Sequence, residues 1–69
     1  MAEEIIFSVQ ESPEGGYEAQ ALSAPIFTEA DNLEELRTAV RDATECHFEE
    51  GKRPKLIRLR FVRDEVIAV

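Results

Sequence analysis

Sixty-nine residues carrying 15 acids against 8 bases, a formal charge of −7, and 43% hydrophobic side chains bound one small acidic domain, residues 1–69. There is no apolar run of about eighteen residues for a membrane span, and the single cysteine, Cys46, excludes an intrachain disulfide. A zinc site would have to be built from Cys46, His47 and carboxylates, a poor ligand set, so oligomerisation, a dimer first, is the route left for extra burial in a domain that hides only about 60% of its unfolded surface.

The opening MAEEIIFSVQ has acids where a signal peptide needs a basic segment, which places the chain in the cytoplasm. Within it, Ile5, Phe7 and Val9 alternate with Glu4, Ile6, Ser8 and Gln10, the period of a strand over residues 3–10. Glu11–Gly16 (ESPEGG) is dense in turn formers, and Gly15 and Gly16 can supply the positive φ of a longer hairpin loop. Tyr17–Leu22 (YEAQAL) is the returning strand. Pro25 bars a central-strand position in the connector that follows. Ile26–Phe27–Thr28 forms a short extended piece, with Ile26 and Phe27 both expected to be buried over the start of the helix.

Asp31–Gly51 reads as an amphipathic helix. Asp31 or Asn32 can cap it, Glu34 and Glu35 complement the positive end of its dipole, and Gly51 is a natural stop with Pro54 beyond. Leu33, Leu36, Val40, Ala43 and His47 recur at three- and four-residue spacing on one face. His47 in that stripe fits a core or boundary histidine, or else a partner contact; Cys46 fits a partly buried inert residue. Leu56–Val62 (LIRLRFV) is the clearest strand, with Ile57, Leu59 and Phe61 on a packed face and Arg58 and Arg60 on a solvated one. Those arginines can pair across strands with Glu18 or bind a ligand. Arg63–Asp64–Glu65 turns the chain into the apolar Val66–Val69, a terminal strand whose open edge a second copy could cover. The fold class expected is α+β: an antiparallel sheet of three to four strands with one helix on one face, in β-β-α-β(-β) order.

Catalytic chemistry finds little to work with. Cys46 and His47 are adjacent, so on a helix they point about 100° apart and form no nucleophile–base pair. There is no second histidine for a metal set and no phosphate-cradling glycine loop. The reading is therefore of a non-enzyme with no catalytic, cofactor or metal residues. Charge is uneven: residues 1–50 hold 13 acids against Arg37 and Arg41, and residues 51–69 hold six bases against Asp64 and Glu65. Such a body disfavours nucleic acid and suits a basic partner, although acids also keep a small domain soluble.

Glu14-Gly15-Gly16-Tyr17 at the hairpin, Phe27-Thr28-Glu29-Ala30-Asp31 before the helix, and Leu33-Glu34-Glu35-Leu36 at its start resemble the motifs of the HicB-like antitoxin family. The resemblance spans about residues 4–62. It implies a partial ribonuclease-H-like α+β domain that neutralises a small basic, messenger-RNA-cleaving toxin of the HicA-like kind. Many relatives have glycine where Ala30 stands. The chain stops at Val69 without the DNA-binding module that many such antitoxins carry, so direct DNA binding is not expected. The candidate contacts for the partner are Glu34, Glu35, Asp42, Glu45 and Glu49 on the helix side and Glu11 and Glu14 at the hairpin. The competing reading is a stand-alone oligomeric α+β protein with hydrolase or nucleic-acid-binding activity, the latter through Lys52, Arg53, Lys55, Arg58 and Arg60.

Overall fold

A computed structural model describes residues 3–69. Four strands, β1 (Glu4–Glu11), β2 (Tyr17–Ala21), β3 (Phe27–Ala30) and β4 (Leu56–Phe61), and one helix, α1 (Leu33–His47), follow in the order β1-β2-β3-α1-β4. The strands form one sheet in the spatial order β3-β2-β1-β4, so the fold is α+β with a single helix laid on one sheet face. The expected short extended piece is a true edge strand, shifted to Phe27–Ala30.

Two pairings are antiparallel, β1 with β2 and β2 with β3; the third, β1 with β4, is parallel. The sheet is therefore mixed rather than antiparallel. The reason is topological. β3 sits at one edge, and α1 carries the chain back across the sheet, so β4 starts at the end where β1 starts. A hairpin of two or three residues could not make that connection; a crossover helix can. Glu3 opens the parallel ladder, its carbonyl accepting from the N–H groups of Lys55 and Leu56 at 2.9 and 3.0 Å.

Alternation in β1 buries Ile5, Phe7 and Val9 under the helix. In register beside them stand Ala19 and Ala21 of β2 and Ile57 and Leu59 of β4. Leu36 and Val40 of α1 close this core from above, with Ile26 at its rim. The small side chains of β2 leave room for the helix to lie close over that half of the sheet. Thr44 completes the buried stripe, and its hydroxyl donates to the Val40 carbonyl at 2.8 Å, so no polar atom there lacks a partner.

Asn32 is the N-cap: its side-chain carbonyl accepts from the Glu35 N–H at 2.8 Å. The helix ends at His47, earlier than Gly51. Phe48 leaves helical geometry (φ −101°, ψ 143°), and its ring packs on the core. His47 is consequently exposed, its ring edge-on to Phe48 with centroids 4.8 Å apart, and Cys46 is exposed as well. Both depart from the sequence reading: the helix ends at His47, and Phe48 rather than His47 turns onto the core. Phe27 departs too. Ile26 is buried, but its neighbour in an extended chain faces the opposite side, leaving Phe27 58% exposed on the open sheet face. Backbone pairing continues one residue past β4, Val62 N–H donating to the Val9 carbonyl at 2.7 Å. Beyond it residues 63–69 carry no strand or helix, so the terminal strand expected at Val66–Val69 is not formed within the chain.

Candidate functional site

The hairpin loop between β1 and β2 is tightly specified. Ser12 N–H donates to the Gly16 carbonyl and the Gly15 N–H to the Ser12 carbonyl, each at 3.0 Å. Gly15 and Gly16 both have positive φ, 97° and 82°. Gly16 additionally lies flat against the end of β3: a β-carbon built there would stand 2.6 Å from the Ala30 carbonyl oxygen. That contact brings the loop beside Glu29, Ala30, Asp31 and the first turn of α1.

The result is a concavity of about 580 Å3 whose lining includes Glu14, Glu29, Asp31 and Glu35. Glu35 and Ala39 also border a second depression along the helix with Glu34, Thr38 and Asp42. Glu35 and Asp42 are seven residues apart, within about 20° on a helical wheel. Glu29 stands in register with Glu18, so its side chain shares the open sheet face with Phe27; the other five carboxylates, from the hairpin, the residue after β3 and the helix, form one acidic surface. Concentrated carboxylates raise the local negative potential and favour a basic ligand.

Of the candidate contacts, the structure groups Glu14, Glu34, Glu35 and Asp42 here. Glu45 and Glu49 lie at the far end of the helix beside basic side chains: Arg53 donates to the Glu45 carbonyl at 3.2 Å, and Lys52 Nζ stands 3.8 Å from Glu49. Glu11, at the end of β1, borders a different depression that contains Arg63 and Asp64. Asp31 also belongs to the acidic surface. The Phe27–Asp31 segment marks it in the sequence, but only the Gly16–Ala30 approach puts it beside the hairpin of Glu14.

The basic segment is partly engaged. Arg58 donates to the Glu4 carboxylate across the β1–β4 pair, which holds that carboxyl below its ordinary value and the guanidinium above its own. Arg58 therefore pairs diagonally with Glu4, which stands opposite Leu56 on the adjacent strand, and not with Glu18, which lies two strands away on β2. Among the described residues no three His, Cys, Asp or Glu side chains stand together as metal ligands, and no helix is long and apolar enough to cross a membrane.

Two curated proteins are similar to this chain. One from Archaeoglobus fulgidus is 60% identical over 52 residues, covering 75% of this chain and 77% of its own length. One from Thermotoga maritima is 47% identical over 66 residues, covering 96% and 93%. Both are described as a UPF0150 protein. No family model matches the chain, and no solved structure matches it.

Proposed function

The chain belongs to the UPF0150 family, and from that premise and its acidic surface we propose that it is a non-catalytic, HicB-like antitoxin of the cytoplasm that binds and neutralises a small basic, mRNA-cleaving toxin. The single observation carrying this reading is the continuous carboxylate surface of Glu14, Asp31, Glu34, Glu35 and Asp42. A protein that grips RNA presents lysines and arginines where phosphates would lie. A rigid set of carboxylates can occupy the same groups and exclude the nucleic acid. Attraction of this kind accelerates association more than it deepens affinity, and it weakens with salt.

The test pairs the purified chain with the product of a small basic reading frame adjacent to its gene, chosen for RNA cleavage. Addition of the chain should abolish cleavage at stoichiometric amounts. Glu35→Lys combined with Asp42→Lys should slow association at low salt by tenfold or more. Glu45→Lys combined with Glu49→Lys should have a smaller effect, since Arg53 and Lys52 already stand beside those residues. Full inhibition by the Glu35/Asp42 pair of reversals at an unchanged rate would refute the assigned surface; failure of the wild type to bind any basic partner would refute the function.

A further inference from the structure

β4 is an edge strand whose outer side pairs with nothing among the described residues, and the chain continues past it as an apolar tail. Val66 and Ile67 are 95% and 74% exposed, and Phe61 and Val62 beside them are also open. The tail projects: the Cα radius of gyration is 13.4 Å, where a compact chain of this length has about 11 Å, and the long axis is 51 Å against 22 and 17 Å. Fourteen extended residues, Leu56 to Val69, reach about 46 Å, so a tail carried on along the line of β4 accounts for that axis.

We propose that this edge pairs with itself: residues 59–69 of one chain run antiparallel to residues 59–69 of a second copy, about a two-fold axis at Asp64. The sequence selects both the partner and the register. With the axis there, Arg63 stands opposite Glu65 of the second copy, Val62 opposite its Val66, Phe61 opposite its Ile67 and Leu59 opposite its Val69, and each pair occurs twice by symmetry. Moving the axis by half a residue or one residue in either direction sets an acid or Arg63 against a valine. The register also keeps the alternation of β4. Opposed residues share a face, so Ile67 and Val69 of the second copy extend the face of Leu59 and Phe61 that lies under the helix, and Val66 falls on the open face. The two sheets become one of eight strands, and the exposed edge disappears. The acidic surface lies on the β3 side of each sheet, opposite the joined edge, and stays free in both copies.

One pair is unfavourable, Asp64 against Asp64 of the second copy on the axis, and it gives a sharp test. Opposed residues in an antiparallel pair have Cα atoms about 4.5–5.5 Å apart, within the range a disulfide spans. In the full chain carrying Cys46→Ser, Asp64→Cys should cross-link to a covalent dimer under mild oxidation, and Ala68→Cys, opposite Arg60, should not. Sedimentation equilibrium of the wild type at micromolar concentration should give twice the 7.8 kDa chain mass. Asp64→Asn should tighten the dimer. Arg63→Glu should weaken it about tenfold, and Arg63→Glu with Glu65→Arg should restore it to within about threefold. A monomeric wild type, equal cross-linking at 64 and 68, or a double variant no better than Arg63→Glu alone would each overturn the proposal.

Discussion

Replacing Gly16 by alanine tests whether the hairpin loop is held against β3 as the geometry requires. Two costs apply at this position. A non-glycine residue at φ 82° pays about 1–2 kcal/mol for the left-handed backbone. The added methyl group would also sit 2.6 Å from the Ala30 carbonyl oxygen, a backbone atom that can yield only if the loop or the strand end moves. Gly15 supplies the control, because its φ of 97° is equally unsuited to alanine while the space around its β-carbon is empty. Gly15→Ala should therefore cost about 1–2 kcal/mol, and Gly16→Ala about 1–3 kcal/mol more, as overpacking of a tight contact does. A domain this size has roughly 3–10 kcal/mol in hand, and each 1 kcal/mol lowers its melting temperature by about 4–8 °C. Urea unfolding followed by circular dichroism, with both variants at one protein concentration, reads the difference directly. Equal destabilisation by the two substitutions would refute the close approach, and with it the reason the hairpin of Glu14 stands beside Asp31.

Asn32→Ala removes the side-chain acceptor of the Glu35 N–H and should cost about 1 kcal/mol by urea midpoint. Phe7→Ala, at a fully buried site in the central strand, should cost about 3–5 kcal/mol and leave the protein largely unfolded at 37 °C, whereas Thr44→Val, which keeps the shape and removes one hydroxyl donor, should stay within about 1.5 kcal/mol of wild type by the same titration. Arg58 holds the Glu4 carboxyl below its reference value of 4.5, so the ionised form is favoured in the folded state. That contribution is present above 4.5 and fades as pH falls through the lowered folded value; wild type and Glu4→Gln should then differ near neutrality and converge in acid, and parallel curves would refute the pairing.

Strand and helix periodicities carried most of the fold. The alternation in Glu4–Gln10 and Leu56–Phe61 fixes which side chains go under the helix, and Asn32 with Glu35 marks the helix start. What alternation cannot carry is pairing direction. Ile57, Leu59 and Phe61 would face the core equally well in either sense, so the parallel β4 follows only from where β3 and α1 leave the chain. A helical wheel likewise assumes that the helix runs on to Gly51, and it places His47 inside; the helix ends at His47, and Phe48 takes the core position by leaving it. Ile26 and Phe27 are hydrophobic neighbours that an extended chain sends to opposite sides, so only Ile26 is buried. The acidic surface was legible as composition and as single exposed helix positions. Its assembly is not, since the hairpin of Glu14 meets Asp31 through one backbone contact between distant segments.

The pairing of β1 with β4 also sets an order of events during synthesis. Its ion pair joins residues fifty-four positions apart, and β4 is made after β1, β2, β3 and α1. β1 therefore emerges from the ribosome before the other four, and the β4 side of EIIFSVQE stays unpaired while β2, β3 and α1 assemble. Contacts of such long sequence separation slow folding, and an apolar strand left open in the meantime is a template for the wrong neighbour. A delay between the release of α1 and that of β4 should prolong that interval, and the nascent chain should then depend more on chaperones.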